Sequence, residues 1–333
     1  MGTVVGTSSA GQTNRLVTGV APGLPKWVSE RLELAEEGIQ LTDCGEKHDQ
    51  LTLVSGADGS FAMTGLVIPR AVALNAGQLE EAVCDAYTRV QRRLADSSAP
   101  YPVRFWNFIP SIHEQLGPVS RYMAFNAGRF AALALSRAEG PGIAGETVSF
   151  PTASGVGYAG TDLVIYGLGA AHPGTPVENP RQIPAYRYST RFGPRPPCFT
   201  RATSIRVGSG AALLVAGTAS VVGEDSRHAG NLRHQLAETF DNLDALIAAW
   251  RGQLAKEGID DCTALPDNLR AYYVREGDRD AVTAAVRVRY PHIDSVETVR
   301  ADICRPELLV EVECTVALDS RSPRADVRRG RRT

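Results

Sequence analysis

Apolar residues recur along the chain with two alternating periods, one suited to strands and one to helices. The runs Leu51–Val54 and Phe61–Ile68 read as strands. After them Leu79, Val83, Ala86, Tyr87, Val90 and Leu94 fall at helical spacing. A strand is predicted over Val103–Ile109, a helix from Pro118 to about Ser136, and strands near Thr147–Ala153 and Leu163–Leu168. The order then repeats. Strand runs at Ser204–Val207 and Ala211–Val215 precede a long helix whose stripe is Leu232, Leu236, Phe240, Leu243, Ile247, Trp250 and Leu254. A strand (Leu269–Val274), a helix (Asp280–Arg289) and two strands (Val296–Ile303, Leu308–Leu318) follow. Both halves read ββαβαββ. The pattern predicts an internally duplicated α+β protein, each half a sheet with helices packed on one face. The corresponding boundaries are an N-terminal extension at 1–45, a first half at 46–175, an arginine-rich connecting loop at 176–203, a second half at 204–320 and a disordered tail at 321–333.

Two stretches break the pattern in ways that suggest chemistry. In the last strand, ELLVEVECTVAL (Glu307–Leu318), side chains alternate between faces. Val310, Val312, Cys314, Val316 and Leu318 form one apolar side, and Leu309, Glu311, Glu313, Thr315 and Ala317 the other. A carboxylate in mid-strand costs free energy unless it is paired, faces a cavity or lies on a solvated sheet face. Partial burial would raise its pKa, which suits a general acid near neutral pH. The second stretch is Asn179–Arg201, too rich in proline and arginine for a helix and without strand alternation. It carries Arg181, Gln182, Tyr186, Arg187, Tyr188, Arg191, Arg195 and Arg201. Guanidinium forks match carboxylate oxygens two at a time, and tyrosine adds a hydroxyl on a rigid ring. The loop reads either as a cradle for a small, multiply anionic molecule or as a solvated basic connector.

Composition narrows the classes. With 333 residues, 43% of them hydrophobic, the chain has material for two cores of ordinary size. The net charge of −2 gives no broad footprint for nucleic acid or a membrane surface. No apolar run approaches the ~18 residues of a membrane span, and the first residues lack a basic-then-apolar signal pattern. Six cysteines (44, 84, 198, 262, 304, 314) lie without paired spacing, which predicts reduced thiols and a cytoplasmic protein. The six histidines form no ligand pair at useful spacing, so neither a metal nor another cofactor is expected. Gly155, Gly157 and Gly160 match G-x-G-x-x-G, but a strand-like run follows where a dinucleotide fingerprint requires a helix.

The second half resembles the Rid (YjgF-type) superfamily, in LLVAGTAS (Leu213–Ser220), HQLAETFDNLDALI (His234–Ile247) and LLVEVECTVA (Leu308–Ala317). The whole chain is more similar still to the chorismatases, which carry two Rid-like halves. The matching stretches are RFWNFIP (Arg104–Pro110), RYMAFNAGR (Arg121–Arg129), the loop NPRQ…AYRYSTRFGPRPP…FTRA and the closing VEVE. One departure from Rid deaminases argues against imine deamination: the stretch where they carry a substrate-binding arginine after proline is here Tyr290-Pro-His-Ile-Asp294.

The resemblance implies a Rid/YjgF-like (chorismate-mutase-like) fold and a substrate, chorismate, whose two carboxylates answer the arginine loop. It implies that Glu311, first of the VEVE pair, protonates the enolpyruvyl group. It also implies that Arg201, Tyr188, Arg181, Arg191 and Gln182, with Arg121 and Arg129 from the first half, hold the substrate. Members that form 3-hydroxybenzoate carry a cysteine seven residues before this glutamate and a glycine where hydrolytic members have alanine. Cys304 and Gly217 stand at those positions. The expectation is a chorismatase that releases pyruvate and 3-hydroxybenzoate, a starter unit for secondary metabolism. The alternatives are a hydrolytic chorismatase, giving a 3,4-dihydroxycyclohexa-1,5-diene-carboxylate, and a non-catalytic Rid-like metabolite-binding protein. Rid proteins are commonly trimers, and the duplicated chain leaves both a monomer and a trimer-like assembly open.

Overall fold

The computed structural model describes residues 23–31, 52–55, 59–139, 150–208, 210–259, 264–293 and 295–317. Of the extension expected at 1–45, residues 1–22 and 32–45 lie outside them, as does the tail expected at 321–333. A short helix, α1 (Lys26–Arg31), precedes the first half, which consists of β1 (Thr52–Ser55), β2 (Phe61–Ile68), α2 (Ala76–Ala95), β3 (Tyr101–Pro110), a small hairpin of β4 (Gln115–Leu116) and β5 (Val119–Ser120), α3 (Arg121–Glu139), β6 (Thr152–Tyr158) and β7 (Leu163–Ala170). An edge strand, β8 (Thr175–Val177), and the arginine loop lead into the second half. There β9 (Ala202–Val207) and β10 (Gly210–Ala219) are followed by a two-residue pair, β11 (Val221–Val222) and β12 (Asp225–Ser226). The half is completed by α4 (Leu232–Lys256), β13 (Leu265–Tyr273), α5 (Arg279–Arg289), β14 (Val296–Arg300) and β15 (Val310–Ala317).

The duplication extends to topology. The first sheet runs β1-β2-β7-β3-β6 and the second β9-β10-β15-β13-β14, with β8 added at its β9 edge. In both, only the pair flanking the second crossover helix, β3–β6 and β13–β14, is parallel. The expected duplicated α+β fold is the observed one.

Local chemistry accounts for the elements. The helix α2 opens with a capping box: Asn75 accepts from the Gln78 N–H while the Gln78 side chain accepts from the Asn75 N–H. Its predicted stripe, Leu79 to Leu94, is its buried face. The N-cap of α4 is Asn231, which accepts from the His234 N–H. Several boundaries differ from the expected ones: β10 runs on to Ala219 rather than Val215, β13 begins at Leu265 rather than Leu269, and β14 ends at Arg300 rather than Ile303. Pro118 starts no helix, because Gly117 at φ +79° turns the chain into the β4–β5 hairpin and α3 begins at Arg121. The strand expected near Thr147–Ala153 is observed from Thr152 to Tyr158, with 147–149 outside the described residues.

The two sheets lie face to face with helices outside. Met63, Trp106, Phe108, Val156 and Tyr166 of the first sheet share one core with Ile205, Leu214, Ala219 and Tyr272 of the second. The outward faces bury α2 and α3 on one side and α4 and α5 on the other. Gly157, from the glycine-rich motif, lies where the backbones of the two halves bridge. Its N–H donates to the Asp302 carbonyl at 2.7 Å, and the Asp302 N–H returns the bond at 3.2 Å. A Cβ there would stand 2.6 Å from Ile112 and 2.9 Å from Asp302. The motif is a backbone contact, not a phosphate cradle.

Candidate active site

The last strand places its two carboxylates between the sheets. In β15 Val310, Val312, Cys314 and Val316 pack on the helix side, so period-two alternation turns Glu311 and Glu313 toward the first sheet. Both are buried, each 4% exposed. They are treated very differently. Glu313 accepts four hydrogen bonds: from Arg104 Nη2 (2.7 Å) and Ser154 Oγ (2.6 Å) on one oxygen, and from Trp106 Nε1 (3.1 Å) and Tyr272 OH (3.0 Å) on the other. Glu311 has an oxygen, Oε1, buried without a hydrogen-bond partner.

A break in the sheet makes room for Glu311. The pairing of β10 with β15 slips between Val215 and Thr218, a bulge that places Ala219 opposite Glu311. Gly217 sits in the bulge, with its N–H on Ser154 Oγ at 2.9 Å. The Glu311 carboxyl occupies the space a side chain would take, since a Cβ on Gly217 would stand 1.8 Å from Glu311 Oε1. Burial pushes the Glu311 carboxyl up to about 8, and the Glu313 charge adds to the rise. Arg104 and Arg201 pull in the opposite direction. Glu311 is therefore mostly protonated at neutral pH.

Glu311 lies on the wall of a cavity of about 300 Å³ between the halves. Cys304, Gly217, Arg201, Tyr188, Gln182 and Arg129, all singled out by the sequence, line it too. Arg201 donates to the Tyr188 hydroxyl at 2.5 Å and to the Ile183 carbonyl at 3.2 Å. Gln182 donates to the Val221 carbonyl, tying the loop to the second half. Arg129 donates to Asn126. Cys304 is a thiol whose pKa burial and the neighbouring Glu311 charge push up to about 12, so it is no thiolate nucleophile.

Guanidinium and ring groups alternate along the wall. Arg305 lies over Tyr188, Arg201 over Tyr188 and Phe199, and Arg129 over Phe199. This ladder runs from the second half through the loop to the first. The Nε–H groups of Arg129 and Arg201 are buried without partners, spare donors beside the cavity.

Three arginines singled out by the sequence lie elsewhere. Arg121 is wholly buried and donates to the carbonyls of Ala71 and Val72 and to Glu114, holding the start of α3 to the turn after β2. Arg181 pairs with Glu238 of α4 at 2.5 Å. Arg191 pairs with Glu224 and Asp225 on the surface. None of the three is on the cavity wall. In their place the wall holds Arg305, Tyr122, Ser154 and Phe199, which sequence reasoning did not single out. For Arg305 a signal existed, its position next to Cys304. Among the described residues no group of three or more His, Cys, Asp or Glu side chains could hold a metal, and no helix is long and apolar enough to cross a membrane.

Comparison with known proteins gives the arrangement a family. Residues 44–169 match the family model chorismatase FkbO/Hyg5-like, N-terminal. A 3-hydroxybenzoate synthase of Streptomyces hygroscopicus is 33% identical over 289 residues, 84% of this chain and 80% of that protein. A chorismatase of the same organism is 31% identical over 278 residues, 81% of this chain and 78% of that one. A chorismatase crystal structure superposes with a TM-score of 0.67 at 26% identity, covering 79% of this chain and 77% of the other. By identity and by coverage of both chains, the protein belongs to the chorismatase family of enzymes.

Proposed function

We propose that this protein converts chorismate into 3-hydroxybenzoate and pyruvate, with Glu311 as the acid. The observation that carries the reading is one buried carboxyl, protonated at neutral pH and with an oxygen unengaged, on the wall of an arginine-lined cavity. The relative named 3-hydroxybenzoate synthase supports the aromatic product. The cavity, about 300 Å³, suits one small ligand. With Glu311 neutral, the cations of Arg129, Arg201 and Arg305 leave the wall positive, complementary to a dicarboxylate.

In this reading Glu311 gives its proton to the methylene carbon of the enolpyruvyl ether, and the ether carbon becomes an oxocarbenium ion. The new Glu311 carboxylate balances that cation in a dry site. The ring hydroxyl attacks the cation, and its proton passes to the original ether oxygen as that oxygen's bond to the pyruvyl carbon breaks. The transferred pyruvyl group leaves as pyruvate when its new oxygen's bond to the ring breaks, and loss of a ring proton gives the aromatic acid. The ring proton restores Glu311, and no water is consumed overall. Gly217 favours this branch because, with no Cβ there, the carboxyl can lie against the bulge. Cys304, a neutral thiol on the same wall, contributes bulk without a charge. The duplicated chain supplies both walls of the cavity, so a monomer suffices, and reduced thiols such as Cys304 suit the cytoplasm.

Incubation with chorismate, without metal or nucleotide, tests the reading. Chromatography should show pyruvate and 3-hydroxybenzoate in equal amounts. Glu311→Gln should lower kcat by about 10²–10⁴-fold with binding retained. A dihydrodiol acid in place of the aromatic one would refute the branch, and full activity in Glu311→Gln would refute the acid.

A further inference from the structure

The second carboxylate of β15 has no part in the steps above, yet it is the most heavily hydrogen-bonded acid described in the molecule. Its four partners are all donors, and two of them, Arg104 and Ser154, converge on one oxygen. Ser154 and Arg104 meet as well, at 2.6 Å, and Ser154 accepts the Gly217 N–H. Every hydrogen-bond position around Glu313 is thus occupied by a donor, the arrangement of an ionised carboxylate. Glu311 stands two residues away on the same face, a separation of about 7 Å along a strand. Across a dry interior two such groups feel each other strongly.

We propose that Glu313 is a positioning residue for the reaction: its fixed negative charge, held by Arg104, keeps the Glu311 proton in place, and its bond to Ser154 fixes the bulge on which Glu311 rests. Arg104 and Glu313 form a buried ion pair beside Glu311, 2.7 Å apart. Neither charge alone is neutral toward the acid. Arg104 favours ionised Glu311 and Glu313 opposes it, so the pair sets a balance that either partner alone would upset. The remaining titratable or charged groups near the acid are Arg201, Tyr122, Cys304 and Tyr272, which stands opposite Glu311 in β13, with His113, Arg129, Tyr188, Arg305 and Glu307 elsewhere on the same wall.

This inference rests on Glu311 being the acid, and the test separates the two claims. Glu313→Gln should leave Arg104 unopposed and move the alkaline limb of kcat/KM down by about one to two pH units. Arg104→Met, the mirror change, should move the limb up, and the double variant should return it close to the wild-type position. Opposite shifts are beyond what a packing defect can produce. The carboxylic C=O band of Glu311 in infrared spectra of the ligand-free protein gives the same information without substrate, with Glu311→Gln identifying the band. Its disappearance on raising the pH should follow the same order among the variants. Lower kcat at every pH with an unmoved limb and band would overturn the charge role of Glu313. If the band shifts as expected while chorismate is not consumed by the wild type, the electrostatic inference stands and the proposed reaction falls. Should Glu313→Gln not fold, Arg104→Met and the double variant still test the proposal, since an Arg104→Met band that does not rise overturns it.

Discussion

Glu311 stores a cost that its environment makes measurable. Its carboxyl is raised from the ordinary 4.5 to about 8 in the folded state. A group with a raised folded value stabilises the fold fully at pH values below its unfolded pKa. That contribution is lost as pH climbs toward the folded value, and above it the loss is constant. Over the interval from 4.5 to about 8 the loss reaches about 5 kcal/mol. Glutamine at this position has no proton to lose. The urea midpoint of Glu311→Gln should therefore exceed that of the wild type by a margin that widens from pH 5 to pH 8 and then levels off. A margin independent of pH would mean that Glu311 is solvated or paired. At this scale the sequence was informative where alternation alone places a side chain, as in VEVE, because period two leaves only two faces. It could not say that Glu313 would be saturated by donors and Glu311 left with a spare oxygen. That difference depends on Arg104, Trp106 and Ser154, more than 150 residues away in the chain.

Elements decide which arginines face the substrate. Arg121 and Arg201 are both buried and both stand in stretches where the sequence resembles the chorismatases, yet only Arg201 is on the cavity wall. Arg121 starts α3 and spends its guanidinium on two backbone carbonyls and Glu114. Arg121→Met should leave those carbonyls unsatisfied and cost about 2–4 kcal/mol of stability, with KM for chorismate changed little. Arg201→Met should raise KM at least about tenfold, having removed a cation from the wall, at a smaller cost to the fold. Denaturant melts alongside steady-state kinetics would distinguish them. Equal effects of both variants on KM would mean that Arg121 reaches the substrate. Local pattern could not make this distinction. A helix stripe or a capping box is written within a few residues, so α2 and α4 were legible. The loop carries five arginines with no period, and their directions are set by partners in distant elements. Glu238 draws Arg181 to α4, and Glu224 and Asp225 draw Arg191 to the surface.

At the scale of the molecule, duplication explains why the site exists where it does. Each half repeats the same strand order, and each presents an apolar sheet face that must be covered. The halves cover one another, and the cleft left beside the shared core is walled by both. Repetition of ββαβαββ was visible in the sequence, but the facing of the sheets was not, because a buried strand shows no polar side from which to infer a partner. The shared core has a consequence for unfolding. Trp106 and Phe108 from one half are packed with Leu214 and Tyr272 from the other. The Arg104–Glu313 pair crosses the same boundary with both charges out of water. Separating the halves would expose that shared apolar core to water. Neither half should therefore persist once the other has opened. Unfolding in urea should be a single transition, with far-ultraviolet circular dichroism and tryptophan fluorescence coinciding, since Trp106 reports the boundary and Trp250 the second half's own core. Two transitions, with fluorescence from the boundary lost first, would mean that the halves are independent folding units and that the cavity between them opens without global unfolding.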